Sequence, residues 1–455
     1  MDYKKIDKKL TKNIWNLAYP SMISFLLETL YDLVDMIWIG KISKTALAGV
    51  TIFTTVFWLF TFFNELIGAS SVSLISQYHG KKDYDRTRIV SEQTISFKII
   101  MGILSGFLLF IFLKPILGLY SKNPDTIKCA MDYGYLRIFF IPFMFASYSI
   151  NTIFRCHGDS KTPMQIMTIA TIFNIILDPI LMFEKVPFIG IKGFNLGVFG
   201  AALATVLSTI LTVIIGGYFL YSNKNNIKVS LKGLLKMNRD IDKKLLTIGF
   251  PSAVENFTRS LFLAVLMKFI AHYGDAEITV IGIISKLMMF AFMPLEGFMM
   301  GGSVVVGHLI GEKNIDYAKR AADISARLNA YIMSVFTFLF IIFSKQAFML
   351  FSHDQNILNI GVSIAPYVSI SLPLEAYSLG KSVAFMGSGY TKPLLIATLV
   401  PQWLIQLPFA AFVTYGLNLP FKFITFSYPL YDLTFLIIIL YFYKKDTWKT
   451  NKVTY

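Results

Sequence analysis

The sequence predicts an all-α integral membrane protein, with twelve transmembrane helices in two parallel six-helix halves related by a pseudo-two-fold axis along the membrane normal. Three observations predict it. Apolar residues make up 55% of the 455 residues and charged residues only 15%, against about 25% charged in an ordinary soluble domain; the mean hydropathy is +0.60. The apolar residues fall in blocks of the length a bilayer-crossing helix needs, about 20 residues. The second half of the chain repeats motifs of the first at a nearly constant spacing. Only helices and closed barrels satisfy their backbone in lipid, and these blocks are too long and too poorly alternating for barrel strands.

The predicted spans lie near 15–38, 45–77, 92–113, 128–153, 162–183, 196–221, 244–270, 277–309, 322–344, 358–386, 392–413 and 422–443. The first follows Lys4, Lys5, Lys8, Lys9 and Lys12; its long apolar block lacks a small-residue cleavage signature, so it reads as a span and not as a removable signal. Lys81, Lys82, Arg86 and Arg88 separate the second from the third, and Arg155 and Lys161 the fourth from the fifth. The polar stretch 222–244 separates the sixth from the seventh. Lys313, Lys319 and Arg320 divide the eighth from the ninth, and Lys444–Lys445 close the twelfth. The intervening loops are poorer in bases, with Lys41, Lys122, Lys192 and Lys345. The positive-inside rule puts both termini in the cytoplasm, which requires an even number of spans. The expected setting is the plasma (inner) membrane of a prokaryote, crossed many times.

Residues 1–221 are expected to form an amino-terminal six-helix bundle, 222–243 a basic cytoplasmic linker and 244–455 a carboxyl-terminal six-helix bundle. In the linker Lys224, Lys228, Lys232 and Lys236 recur every four residues opposite Ile227, Leu231, Leu234 and Leu235. That is the pattern of a short amphipathic helix on an anionic leaflet, with a solvated tether as the alternative. The halves repeat: Tyr19–Ser21 matches Phe250–Ser252, Gly80 matches Gly311 and Pro142 matches Pro373, each at an offset of 231, while Pro163 pairs with Pro393 at 230. A parallel repeat of this kind is a common transporter design, with substrate held between the halves.

The net charge of +15 invites a nucleic-acid reading, but the lysines sit at the ends of apolar blocks, where they set topology and meet lipid headgroups. No nucleic-acid partner is expected. Cys129 and Cys156 cannot build a disulfide framework or a CxxC site. The five histidines form no HExxH pair and no P-loop is present, so the chain reads as no enzyme and no ATPase. Transport is then driven by an ion gradient or by the substrate's own.

A charge at mid-span costs roughly 2.5–3.5 kcal/mol on insertion scales and is a functional candidate for that reason. Glu28, Asp32 and Asp35 lie at i, i+4 and i+7 of the first span, on one helical stripe, with Tyr31 one turn before Asp35. The fifth span carries Asn174 and Asp178, followed by Pro179, which is expected to break the helix and free carbonyls. Carboxylates, an amide oxygen, a hydroxyl and carbonyls suit Na⁺; the same pair of acids can instead hold a proton. The structural alternative is pairing with Lys98 or Arg137. At the repeat offset Asp35 corresponds to Leu266, so the acid is not part of the repeated scaffold. The second half has Glu255, Glu296 and Glu375 at non-equivalent positions, and Arg259 stands one turn from Glu255, where an ion pair is the plain alternative.

These residues resemble the multidrug and toxic compound extrusion (MATE) family. The resemblance covers nearly the whole chain and rests on Pro20, Tyr31 and Asp35, on Asn174–Pro179 ("NIILDP"), Gly158–Met164 ("GDSKTPM"), Gly200–Thr205 ("GAALAT") and Gly249–Glu255 ("GFPSAVE"). It implies a secondary active antiporter that exports organic cations and drugs in exchange for Na⁺ or H⁺ by alternating access. It implies a cation-coupling site of Asp35, Asp178, Asn174, Tyr31 and Thr205, with a bending point at Pro20. Glu255 and Glu375 become second-half coupling or substrate candidates, and "LDP" points to the DinF-like branch. No cofactor and no metal other than Na⁺ at Asp35 and Asp178 are expected, and the partners are small-molecule cations and membrane lipid around a monomer. A flippase or exporter of a lipid-linked or metabolite substrate in the same superfamily is the alternative.

Overall fold

The computed structural model of the protein describes residues 3–222 and 229–450. Among them the ordered elements are helical, apart from one bridge between Lys185 and Lys192. Twelve rods follow one another. In the first half they are α1 (Tyr3–Ile42), α2 (Lys44–Phe60 and Phe62–Gly80), α3 (Tyr84–Tyr120), α4 (Pro124–Phe139 and Ile141–Cys156), α5 (Lys161–Met182) and α6 (Gly197–Tyr221). In the second they are α7 (Arg239–Ile270), α8 (Asp275–Gly311), α9 (Ile315–Ile342), α10 (Gln355–Ser369 and Leu372–Ser388), α11 (Lys392–Gly416) and α12 (Phe421–Lys444). Seven are long and apolar enough to cross a membrane, and the three bent rods raise that to ten. The remaining two, α1 and α7, have 40 and 32 residues; they have the length, and the acids and bases within them lower their hydropathy.

The bends have local causes. α4 turns by 54° just before Pro142, and α10 by 43° just before Pro373, with the proline in each case at the start of the second segment. Proline lacks the N–H that would continue the ladder and clashes with the turn before it. Because 142 and 373 are repeat mates, the sequence repeat is a repeat of shape. α2 bends by 46° at Thr61, without a proline; there the Thr61 hydroxyl and amide both donate to the Trp58 carbonyl (2.7 and 3.3 Å), tightening one turn. Pro179 does not break α5, contrary to expectation. The helix runs through it to Met182, and the Phe183 amide still donates to the Pro179 carbonyl. What the proline removes is one donor, so the Ile175 carbonyl one turn earlier lacks its usual helical partner.

The chain packs as two compact units, one of Met1–Met22, Val72–Lys82 and Phe250–Tyr455, the other of Ile23–Ser71 and Asp83–Gly249. In the first unit Gly80 lies against the backbone of His308, and Gly311 against that of Gln77. These two contacts interchange under the 231-residue shift. Ser76 and Gly307, themselves 231 apart, touch each other, a Cβ at Gly307 falling 2.6 Å from that of Ser76. A residue that meets its own mate marks a pseudo-two-fold axis, as in an isologous interface. Outward-facing Ile103, Phe107, Phe110 and Phe139 suit a lipid surround.

Of the linker, residues 222 and 229–243 are described, and the part from 229 to 238 is neither a continuous amphipathic helix nor a solvated tether. Its helix is a single turn, Leu231–Leu234, and Lys224, Ile227 and Lys228 lie outside the described residues. The turn is docked on α3: Glu92 Oε1 accepts from the Ser230 amide (2.8 Å) and hydroxyl (3.0 Å), the Ser96 hydroxyl donates to the Leu234 carbonyl (2.5 Å), and Gln93 grips the Lys236 carbonyl (2.6 Å) and the Asn238 amide (3.1 Å).

Candidate cation and cargo site

In the second unit α1 carries Asp35 into contact with α4, α5 and α6. Asp35 is 4% exposed. Its Oδ2 accepts from the Tyr133 hydroxyl (3.0 Å) and from the Thr205 hydroxyl (3.4 Å), the latter shared with the Ala201 carbonyl (3.1 Å). Arg137, one turn along α4, donates through Nη1 to the Tyr133 oxygen (2.8 Å). On α5 the Asn174 Nδ2 donates to Asp178 Oδ1 (3.4 Å), and both residues are fully enclosed. The Asp35 and Asp178 carboxyl groups are near enough to act on each other electrostatically.

Three oxygens of this cluster, Asp35 Oδ1, Asp178 Oδ2 and Asn174 Oδ1, are buried with no hydrogen-bond donor. A buried acceptor without a donor costs on the order of 1–3 kcal/mol, and two facing carboxylates repel each other besides. A proton shared by the pair or a small hard cation relieves both costs at once. Oxygen-only ligands suit such a cation and not a soft transition metal. Among the described residues no group of three or more His, Cys, Asp and Glu side chains is set to hold a metal, so carboxylate, amide and hydroxyl oxygens together are what the chain offers.

Tyr31 is not the phenol at Asp35. It lies one turn up α1, in the wall of a neighbouring cavity of about 60 Å³ that is partly open to the outside. Glu28, Asp32 and Arg137 line that cavity with Phe57, Trp58 and Tyr148, among others. Glu28 Oε1 accepts from the Tyr148 hydroxyl (2.9 Å). Arg137 also lies over the Phe57 ring, 5.1 Å from its centroid, a cation–π arrangement.

The second-half candidates gather in the other unit. Glu255 Oε1 is held by Arg259 in an ion pair and by the Thr398 hydroxyl (3.1 Å). Glu375, early in the second segment of α10, has Asp432 of α12 and Arg259 as its electrostatic neighbours. Asp432 is 3% exposed and accepts from the Ser371 hydroxyl at the α10 bend. Pro20 lies inside an unbroken α1. Sequence reasoning missed Tyr133 and Asp432. For Asp432 the signal was available, an acid inside the last apolar block; for Tyr133 it was the pairing of a tyrosine with Arg137 one turn on, in a block otherwise fit for lipid.

The MatE family model matches residues 20–180 and 251–412, one match in each half. The probable multidrug resistance protein YoeA of Bacillus subtilis (strain 168) is 27% identical over 455 residues, covering 98% of this chain and 97% of its own length. The multidrug export protein MepA of Staphylococcus aureus is 26% identical over 374 residues, covering 80% of this chain and 78% of its own. A solved structure of a MOP superfamily transporter from Pyrococcus furiosus superposes with a TM-score of 0.88 at 22% identity, over 96% of this chain and 95% of that one.

Proposed function

Because the chain belongs to the MatE family, we propose that it is a secondary active multidrug efflux antiporter, exporting organic cations in exchange for Na⁺ or H⁺. The observation that carries this reading is the trio of buried, donorless oxygens on Asp35, Asp178 and Asn174. It is a ready place for the coupling ion, next to a cavity that holds two further acids and several aromatic faces. Acids with aromatic rings are what an organic cation binds, by charge and by cation–π attraction. The names of the relatives in Bacillus subtilis and Staphylococcus aureus support drugs as cargo.

In this reading the ion enters between Asp35 and Asp178, Thr205 and Tyr133 orient Asp35, and Asn174 completes the oxygen set. Ion binding alters α1, with Pro20 as its bending point, and the cargo leaves. Residues 1–221 and 244–455 act as the two rocking halves, joined by the 222–243 linker. The protein works as a monomer in the plasma membrane of a prokaryote, with both termini in the cytoplasm, as the lysine-rich loops favour. The "LDP" segment at Leu177–Pro179 favours the DinF-like branch.

The test is ethidium export from efflux-deficient cells, comparing wild type with Asp35→Asn at equal membrane expression, with and without Na⁺. Loss of export in the variant is expected, and the Na⁺ dependence of the wild type names the ion. Full export by the Asp35→Asn protein would overturn the coupling site.

A further inference from the structure

Between α5 and α6 the chain makes a small hairpin that contributes no side chain to the coupling cluster. Lys185 bridges Lys192 across it. The Val186 amide donates to the Ile191 carbonyl (2.8 Å), the Gly190 amide to that of Val186 (2.9 Å) and the Gly193 amide to that of Glu184 (2.8 Å). The returning arm caps the last turn of α5, with the Phe194 amide on the Ile180 carbonyl (2.9 Å) and the Leu196 amide on that of Leu181 (2.8 Å). A Cβ at Gly193 would fall 2.2 Å from the Phe183 carbonyl oxygen, so only glycine allows that close seat. The base is fixed to the helix end, and the tip is built unlike a turn that faces water. Phe188 sits in the left-handed region (φ 67°), which a bulky side chain rarely adopts, and it is 93% exposed. Ile189, Ile191 and Phe194 beside it are exposed as well. Asparagine or glycine would suit both the backbone and water better.

Position and charge together indicate what covers this tip. α5 has 22 residues, about 33 Å at 1.5 Å per residue, close to a hydrocarbon core of about 30 Å. The hairpin therefore starts where the helix leaves the acyl chains. On α5, Met167, Ala170 and Thr171 line the cavity, while exposed Ile169, Ile172, Phe173 and Ile176 form the opposite stripe, the one left for lipid. Lys185 and Lys192 stand opposite each other on the bridge, where like charges repel. The Lys41 ammonium lies 5.0 Å from the centroid of the Phe188 ring, and Glu184 is the only acid in 184–196. Three ammonium groups around an apolar tip match anionic headgroups above acyl chains.

We propose that hairpin 184–193 is an interfacial anchor for anionic phospholipid: Phe188 and Ile189 enter the acyl boundary at that end of α5, and Lys41, Lys185 and Lys192 hold lipid phosphates. The hydrogen bonds above pair much of the hairpin backbone, which lowers the polar cost of entry. Burial of the phenyl ring offsets the left-handed backbone of its residue. The tip also touches α1, whose Trp38 ring is 6.4 Å from that of Phe188, so the lipid bears on the helix that carries Asp35. Nothing in the anchor depends on the ion or the cargo.

The experiment attaches a nitroxide at Ile189→Cys in the full-length protein with Cys129→Ala, Cys156 being buried. The protein is placed in nanodiscs of phosphatidylcholine with increasing phosphatidylglycerol. Accessibility to oxygen against that to a water-soluble nickel chelate reads immersion, with labels at exposed Phe107 on α3 and at exposed Asp85 as the lipid and aqueous references. The label at 189 is expected to be immersed in discs with phosphatidylglycerol and to draw back in phosphatidylcholine alone. In Lys192→Gln the phosphatidylglycerol fraction at the midpoint should rise about fivefold, the weight of one lysine at an anionic surface. Phe188→Asn, which suits the left-handed turn and keeps the hairpin folded, should leave the label in water. A label at 189 as open to nickel as that at 85, in discs with phosphatidylglycerol, overturns the anchor. Immersion equal in phosphatidylcholine and unmoved by Lys192→Gln overturns the anionic lipid, and immersion unmoved by Phe188→Asn overturns the role of the phenyl ring.

Discussion

Each of the two units encloses a cluster of acids, and the two clusters differ in what already holds their oxygens. In the cluster of Asp35, Asp178 and Asn174, three acceptors have no donor. In the cluster of Glu255, Glu375 and Asp432, Arg259 and Thr398 hold Glu255 and Ser371 holds Asp432. A charge that already has a partner gains little from an added ion, whereas unpaired buried oxygens gain the whole cost of their isolation. The difference teaches that the presence of acids does not locate a coupling site; their unmet demand does. On the antiport reading proposed above the ion then belongs to one half, with Leu266 standing where a symmetric second Asp35 would be.

That contrast can be broken or sharpened by substitution. Asp178→Asn supplies a donor to the pair and removes a charge; we expect export to fall roughly a hundredfold, the upper range of a site-to-site coupling, with unchanged membrane expression on a gel. Asn174→Leu removes one unpaired oxygen and the donor to Asp178. Ion affinity, read from the Na⁺ or pH dependence of ethidium export, should fall about tenfold, as for loss of one hydrogen bond to a charged group. Asp432→Asn keeps the Ser371 contact and should change export about threefold at most, in the range of a neutral hydrogen-bond exchange. Glu255→Gln should have the smallest effect, under about twofold, because its ion-pair partner is half exposed and such pairs contribute little. Export abolished by Glu255→Gln but spared by Asp178→Asn would invert the whole comparison.

The fold was legible because lipid imposes it: span length, flanking lysines and the repeat are all local or periodic signals. Asp35 and Asp178 were legible for the same reason, as charges where charge is costly. Their encounter with Thr205 was implied only by family resemblance, and the phenol of Tyr133, 98 residues from Asp35, was not legible at all. Spacing within one helix fixes a face, but which helix packs against that face depends on the tertiary arrangement. That is why Tyr31, on the right stripe, was expected at Asp35 and lies in the cavity wall instead. The linker misled in the opposite way. Its four-residue lysine period is real, but Glu92, Gln93 and Ser96 hold the backbone of Ser230–Asn238 in place; a segment whose carbonyls and amides are claimed from outside does not continue its own helix.

The contact of Ser76 with Gly307, its counterpart 231 residues away, has a further consequence. If one half of this chain were made alone and paired with a second copy, the same residue would face itself at that point, and since two Cβ atoms there would fall 2.6 Å apart, only glycine fits there twice. Fusion of two copies into one polypeptide lifts the requirement of identity. Here one position is glycine and the other serine, and the acids of the two halves need not match. The close crossing has the geometry of a homodimer's axis, while Asp35, with Leu266 at its mate's place, has no counterpart across it.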